Sequence, residues 1–298
     1  MSNFDVHADD YGLTMNVSKD ILYGINHNML NSMSIMPNMK CFEEAKEYYI
    51  QNLKEGISPK LSVHLNIMEG YSCSNKEEVG DLVDEKGLFK VSWFDLVKFN
   101  YNPLKRNTIK KQLKIEIKNQ IKKVDNAYRL LENGKLRIDS HQHTHMIPIV
   151  MESLIEVIEE EKYSVEYIRL SEEPWWIYLY NIKFLFTYSP INILKVTILN
   201  FFAITDKKKL KNIGLEPMVL AGVFLSGRMD YMRLQKLIPT LVKYSIKKCV
   251  LLEILIHPGS AAEEEMGEEF NNKGANGFYL SYNRKIEYET MLKIKEWR

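Results

Sequence analysis

The sequence predicts an α/β fold in which parallel βα units form a single domain across residues 1–298. Short apolar runs alternate with longer segments whose apolar residues recur every three or four positions, the pattern of strands followed by helices. Several short runs end in Asp or His, and parallel α/β sheets carry functional groups at the carboxyl ends of their strands. With 45% hydrophobic residues, the chain can also fill a large core.

Seven strands are predicted, with helices between most of them. A strand is predicted where about four to eight apolar or alternating residues occur together, and a helix where the apolar period is three or four. The longest predicted helix, residues 107–131, is amphipathic, and its lysines form a solvated face. The predicted strands cover residues 4–8, 32–36, 60–66, 136–138, 165–170, 219–223 and 249–256, and the predicted helices cover residues 16–28, 41–53, 93–99, 107–131, 148–158 and 231–244.

Charge and cysteine content narrow the class of protein. The chain carries 40 Lys and Arg against 39 Asp and Glu, so it lacks the basic excess of nucleic-acid binders. Cys41, Cys73 and Cys249 are an odd number and lie far apart, which is typical of reduced thiols rather than of a disulfide framework. No secretion signal is visible at the N-terminus, so we expect a cytoplasmic location.

Polar side chains follow the first and third predicted strands. Asp9 and Asp10 come directly after the first strand, and His64 lies near the end of the third, shortly before Glu69. Taken singly, adjacent aspartates before a glycine are common in turns, and a lone histidine on a strand is more often a core residue. Their repetition at successive strand ends favours a functional cluster.

Three of the seven histidines follow the fourth strand in the stretch DSHQHTH, residues 139–145. On an extended chain alternate side chains share a face, so Asp139, His141, His143 and His145 are predicted to point the same way. Neutral imidazole is the commonest metal ligand, and a neighbouring carboxylate often holds its tautomer. The alternative is a polar strand end, but a cluster of this density favours a metal site.

Two later strands also end in residues that could take part in chemistry. Arg169 lies near the end of the fifth strand, where it could orient a carboxylate or a substrate, or merely pair with Glu172 or Glu173. The last strand runs into His257, followed by proline and glycine. Arg169 and His257 therefore join the candidate site.

An apolar insertion occupies about residues 175–210. Within residues 175–204 only Lys183 and Lys195 are charged, and together with Pro190 they interrupt each uncharged run before it reaches the roughly 18–20 residues of a membrane span. We expect a loop and a helix packed on the fold, or a contact in a homodimer. Peripheral membrane contact, helped by the lysines at 207–209, is the less favoured alternative.

Four motifs together resemble the YdjC-like carbohydrate deacetylases. They are HADDYGL at residues 7–13, HLNIMEG at 64–70, DSHQHTH at 139–145 and HPG at 257–259, and they occur in that family's order. Residues 214–222 and 226–228 also resemble the branch associated with hopanoid biosynthesis. The resemblance implies a (β/α) barrel-like fold related to polysaccharide deacetylases, a divalent metal and removal of acetyl from an N-acetylated sugar.

The resemblance also implies roles for particular residues. The family's metal ligands correspond to Asp10, His64 and His141, its catalytic base to Asp9 and its acid to His257. We add Arg169, His143 and His145 as groups that bind substrate or orient the others. Two features depart from the family: Met68 replaces a small polar residue, which is expected to alter the pocket wall, and the chain ends before an expected closing helix and strand.

These residue types suit the hydrolysis of an amide. A metal held by one carboxylate and two imidazoles can activate water and stabilise an oxyanion, while Asp9 accepts a proton and His257 donates one. Arg169 would keep Asp9 ionised, since a nearby cation lowers a carboxylate's pKa. The mixed ligand set favours Zn²⁺, whereas the resemblance is equally compatible with Mg²⁺. The alternatives are another metallohydrolase, such as a phosphoesterase, and a non-catalytic sugar-binding or membrane-associated protein.

Overall fold

A computed structural model describes residues 4–179 and 182–294. Seven parallel strands form one sheet in the order β5-β4-β3-β2-β1-β7-β6. Every residue of β1, β2 and β4 is buried, as expected for a parallel sheet covered on both faces. The strands are β1 (Phe4–Tyr11), β2 (Ser32–Ile35), β3 (Lys60–Leu65), β4 (Leu136–Ser140), β5 (Val165–Ile168), β6 (Val219–Ala221) and β7 (Leu252–Ile256).

Helices follow most strands, which confirms the predicted α/β alternation. They are α1 (Met15–Asn26), α2 (Phe42–Asn52), α3 (Trp93–Tyr101), α4 (Arg106–Tyr128), α5 (Leu130–Asn133), α6 (Pro148–Glu161), α7 (Trp176–Leu179), α8 (Pro190–Asn212), α9 (Tyr231–Lys248), α10 (Lys273–Tyr279) and α11 (Tyr282–Lys293). The lysines of α4 do more than face solvent, because several form ion pairs with glutamates of α6. Lys110 pairs with Glu156 and Lys114 with Glu160, each at 2.5 Å, and Arg106 in the first turn of α4 pairs with Glu152 at the same distance.

The sheet curls into a half-barrel. Its edge strands β5 and β6 do not pair as strands, but the backbone N–H of Leu220 on β6 donates at 3.0 Å to the carbonyl of Glu172, in the segment that follows β5. From the β5 side, the Tyr167 hydroxyl donates to the Glu253 carboxylate on β7 at 2.6 Å. Buried polar contacts therefore span the gap that an eighth strand would fill. After β7 the described residues form helices α10 and α11 and no further strand.

The apolar insertion folds into helices. It contains α7, a 3₁₀ segment at Ile182–Thr187 and α8, and α8 packs against α6 and against the turn that follows β4. A helix packed on the fold, the favoured prediction, is therefore observed. Within residues 4–179 and 182–294, no helix has the length and apolarity needed to cross a membrane.

Candidate metal centre

A shift in the register of β1 orients its two adjacent aspartates, Asp9 and Asp10. The pairing of β1 with β2 shifts between Ala8 and Tyr11, and Asp10 adopts a positive φ of 74°. Such irregularities re-aim side chains, and a non-glycine residue in this region costs about 1–3 kcal/mol that the surrounding structure must offset. Asp9 and Asp10 consequently enter two different sets of contacts.

Asp10, His64 and His141 come together, as the predicted ligand set requires. One potential ligand atom from each residue lies within 4.8 Å of the other two, and all three residues are buried. Asp10 Oδ1 is 3.5 Å from His64 Nε2 and 3.2 Å from His141 Nδ1. His64 Nε2 is buried and has no hydrogen-bond partner among the described residues. An unpaired imidazole nitrogen beside a carboxylate and a second imidazole fits a divalent metal.

The ring nitrogen of His64 and of His141 that does not face Asp10 contacts another carboxylate. His64 Nδ1 donates to Asp139 at 2.6 Å. His141 Nε2 lies 3.1 Å from Glu69 and 2.7 Å from the Tyr279 hydroxyl oxygen, and that hydroxyl donates to Glu69. Carboxylates in this position fix the tautomer and orientation of a metal-binding histidine. They leave Nε2 of His64 and Nδ1 of His141 as the nitrogens that face Asp10.

Neighbouring carboxylates also control the charges of the two histidines. Burial alone lowers the pKa of His64, but the carboxylates of Asp9 and Asp10 outweigh it and raise the pKa to about 10. For His141, burial is again outweighed, here by Asp10 and Glu69, and the pKa rises to about 9. Both side chains are therefore positively charged imidazolium ions at neutral pH, and a metal has to displace one proton from each in order to bind.

Proton release should accompany metal binding. Because both histidine pKa values lie above neutrality, binding at pH 7 should release close to two protons. The apparent affinity should rise up to about tenfold per pH unit for each proton, until the pH reaches these pKa values. Titration calorimetry in two buffers of different ionisation enthalpy measures the number released. Release of fewer than one proton at pH 7 would show that the histidines are neutral before binding.

The removal of Glu69 or Tyr279 should weaken metal binding without removing a ligand. Loss of an outer partner of a metal-bound histidine typically costs about 10–100-fold in affinity, so Glu69→Gln should show a loss in this range and Tyr279→Phe a smaller one. Metal titration followed by calorimetry gives both values. Glu268→Gln is the matched control, because Glu268 bonds Tyr71 and Lys86 at the surface. Equal affinity for Glu69→Gln and the native chain would refute the assigned positioning.

Asp9 is held by Arg169. The guanidinium donates to both Asp9 oxygens at 2.8 Å, to Glu253 at 2.6 Å, and lies 3.0 Å from Asp139. Burial raises the pKa of Asp9, but Arg169, together with the neighbouring histidines, more than reverses this and holds the pKa well below its usual value. A second group, His7 with Asp9 and Asp139, also has the spacing of a metal site. In this second group the Arg169 guanidinium already supplies the positive charge that a metal ion would otherwise bring to the carboxylates of Asp9 and Asp139.

Comparison with known proteins identifies the family. A model of the YdjC-like protein family matches residues 5–295. The chain belongs to this family. It is 31% identical over 170 residues to a carbohydrate deacetylase of Thermoanaerobacter pseudethanolicus, covering 56% of this chain and 61% of that protein. It is 21% identical over 312 residues to a carbohydrate deacetylase of Danio rerio, covering 96% and 90%.

Two further comparisons concern coverage and fold. A carbohydrate deacetylase of Clostridium beijerinckii is 27% identical over 173 residues, and the matches to this and the Thermoanaerobacter protein span about three fifths of those relatives' lengths. A solved structure of a proposed cellobiose-phosphate cleavage protein from Enterococcus faecalis superposes with a TM-score of 0.53 at 16% identity, covering 97% of this chain and 94% of that one. This likeness shows the fold. The narrower resemblance to the hopanoid-associated branch stays a prediction.

The three histidines of this YdjC-like chain do not share a face, and that prediction is wrong. Strand β4 ends at Ser140, and the residues from His141 to Met146 form a 3₁₀ turn in which Gln142 and His143 have left-handed φ values of 52° and 56°. The turn sends the side chains in different directions because it replaces the period of two found in an extended chain.

His143 and His145 contact other protein groups rather than the cluster of Asp10, His64 and His141. The Ser171 hydroxyl lies 2.8 Å from His143 Nδ1. His145 Nδ1 lies 2.5 Å from the Ser140 hydroxyl oxygen, and its Nε2 donates to the Arg169 carbonyl at 2.6 Å. Burial lowers the pKa of His145 to about 4, so it is neutral. His145 therefore ties the β4 turn to the end of β5.

His257 follows β7 and is less buried than the three candidate metal ligands. Its backbone N–H donates to Glu287 at 2.6 Å, and its ring Nδ1 lies 3.4 Å from the same carboxylate. Met68 is buried with the apolar core, and its effect on a pocket wall stays a prediction. The structure thus holds His257 in place through a residue of the C-terminal helix α11.

Three residues of the centre received no role from the sequence pattern: Glu69, Tyr279 and Arg284. Arg284 donates to Asp10 Oδ2 at 2.8 Å and to the Gly259 carbonyl at 2.7 Å. Burial raises the pKa of Asp10, but Arg284 and the two histidines lower it well below its usual value. Glu69 stands in a recognised motif and could have been noticed there. Tyr279 and Arg284 lie on short C-terminal helices with no motif that marks them.

Proposed function

We propose that this YdjC-like protein is a metal-dependent hydrolase that removes the acetyl group from an N-acetylated sugar. The observation that carries the proposal is the buried cluster of Asp10, His64 and His141, with the ionised Asp9 next to Asp10 in the chain. The relatives named carbohydrate deacetylase support the same class of reaction. We further propose that the half-barrel is related to that of the polysaccharide deacetylases.

The metal would be held by Asp10, His64 and His141. A divalent cation there would lower the pKa of a water molecule and polarise the acyl oxygen of the acetamide. One carboxylate and two imidazoles suit Zn²⁺ by softness, and the family resemblance is also compatible with Mg²⁺. Arg284 holds the second oxygen of Asp10 at 2.8 Å, so Asp10 would offer Oδ1 to the cation.

Asp9 would accept the proton of the attacking water. Arg169 keeps the carboxylate ionised and fixes its plane through two bonds of 2.8 Å. Ser34 and His7 also contact Asp9 Oδ1, at 3.1 and 3.2 Å, which leaves Oδ2 as the less occupied oxygen. The same pairing weakens Asp9 as a base, so its contribution depends on a water that is itself acidified.

His257 would donate a proton to the departing amine. An amine is a poor leaving group unless it is protonated, so amide hydrolysis needs such an acid. Glu287 contacts both the backbone and the ring of His257, which orients the imidazole. With 16% of its side chain exposed, His257 is more accessible than Asp9, the other catalytic candidate.

We also propose a cytoplasmic location for the protein. Its three cysteines are free, which is consistent with that location.

Acetate release tests the proposal. The protein is stripped with a chelator, reconstituted with Zn²⁺ or Mg²⁺, and incubated with a panel of N-acetylated monosaccharides and disaccharides. We expect acetate and free amine in equal amounts, only in the presence of metal. Hydrolysis of p-nitrophenyl phosphate without acetate release would favour a phosphoesterase. Metal binding and sugar binding without turnover of any substrate would favour a non-catalytic sugar-binding protein.

A further inference from the structure

Helix α8 is apolar on two opposite faces. One face packs into the fold through Val196, Leu199, Phe202 and Leu210. The other carries apolar side chains that are 60–66% exposed; we call this the outer face of α8, and it comprises Ile191, Leu194, Phe201 and Ile204. A helix that is apolar all round is normally buried, and exposed apolar patches of this kind mark interaction sites.

On α8, the charged side chains that form no ion pair with a described residue are all positive. Residues 174–205 contain two lysines and no Asp or Glu. Beyond them, Lys207 and Lys209 pair with Glu172 and Glu152, whereas exposed Lys208 and Lys211 form no ion pair with any described residue. Lys208 lies seven positions after Phe201 and four after Ile204, close to two helical turns and one, so it continues the same stripe.

We propose that the outer face of α8 docks on an anionic membrane surface. Its apolar side chains would enter the headgroup region, and Lys208 and Lys211 would contact lipid phosphates. The stripe from Ile191 to Ile204 is about 20 Å long, and no described helix can span a bilayer, so α8 would lie in the plane of the interface. If two copies of the chain met through this face, the outer face of the partner would carry no acidic group to pair with the lysines. An anionic bilayer, in contrast, supplies the complementary charge.

The position of α8 relates this surface to the metal centre. α8 packs against the turn of residues His141–Met146, which supplies the ligand candidate His141. The docked face and the metal centre therefore lie on elements in direct contact. This proposal does not depend on the chemistry assigned to the centre.

Vesicle sedimentation with the full-length protein tests the proposal. We expect it to sediment with vesicles of equal parts phosphatidylglycerol and phosphatidylcholine, to bind pure phosphatidylcholine at least tenfold more weakly, and to be released by 0.5 M salt. Leu194→Glu combined with Phe201→Glu should abolish sedimentation. Lys208→Glu with Lys211→Glu should weaken it by at least tenfold, since each lysine near such a surface contributes about fivefold.

Controls separate a local effect from unfolding. Ile50→Glu with Met232→Glu replaces exposed apolar residues on α2 and α9, and should bind vesicles like the native chain. Each variant should retain the native circular dichroism spectrum. The proposal is overturned if the native protein stays in the supernatant with every vesicle, or if the α8 variants bind as well as the control. It is equally overturned if light scattering shows a dimer that Phe201→Glu dissociates while vesicle binding is absent.

Discussion

Replacement of Asp9 by asparagine is expected to lower kcat for acetate release by roughly 10²–10⁴ while metal affinity stays nearly unchanged. The factor is the usual contribution of a positioned general base. Asparagine keeps the shape of the side chain but cannot take up the proton. Metal affinity is expected to persist because the ligand atoms come from Asp10, His64 and His141. Steady-state kinetics on the reconstituted protein, together with metal titration, measures both quantities.

The neighbouring carboxylate provides the matched comparison. Asp10→Asn should weaken metal binding, because a neutral amide oxygen is a poorer ligand than a carboxylate, and His141→Ala should behave similarly. Elemental analysis after dialysis distinguishes the two outcomes. If Asp9→Asn loses the metal and Asp10→Asn keeps it, the roles within the pair are reversed. If both variants keep full activity, the proposed mechanism is wrong.

Replacement of Arg169 by methionine is expected to destabilise the fold by about 3–5 kcal/mol, the usual consequence of removing one partner from a buried ion pair. Arg169 is fully buried and is the guanidinium shared by Asp9, Asp139 and Glu253. Without it, three carboxylates face one another in a desolvated interior. Urea denaturation followed by circular dichroism gives the change in the free energy of unfolding.

The pH dependence of this variant has a definite sign. Without the guanidinium, burial should raise the pKa of the carboxylates in the folded state above their unfolded values. The penalty should then be small at low pH, where they are protonated, and should grow as the pH rises through these raised values. Denaturation at pH 5 and pH 8 should show the larger deficit at pH 8. A loss below 1 kcal/mol, or the same loss at both pH values, would contradict the account.

Arg137 offers a control for the effect of Arg169. Arg137 is also buried and lies on the adjacent strand β4, but it bonds one buried carboxylate, Asp5, at 2.6 Å. Asp5 additionally receives a bond from Lys60 at 2.9 Å. Arg137→Met should therefore cost less than Arg169→Met, because Asp5 retains a cation. An equal loss would mean that packing, rather than the three carboxylates, explains the effect at Arg169.

The sequence by itself determined the α/β alternation, because strand and helix follow from local apolar periods that no distant contact has to supply. It also determined which residues stand at strand ends, and hence the candidate set of Asp9, Asp10, His64 and His141. The position of Arg169 left open whether it pairs with a site carboxylate or with Glu172 or Glu173. Its pairing with Asp9 was expected only once the family resemblance marked Asp9 as the base, and the structure places the two in direct contact. These predictions needed residue types and their order along the chain.

Only the tertiary structure decided how the centre is enclosed. Arg284 contacts Asp10 across 274 positions in sequence, and Tyr279 contacts His141 across 138, so no local pattern relates them. The turn after β4 shows the same limit at short range. The stretch from His141 to His145 is compatible with an extended strand, and tertiary contacts favour the turn instead: His145 bonds the Arg169 carbonyl, and His141 bonds Tyr279. Side-chain direction in a polar segment depends on such distant partners, which periodicity does not encode.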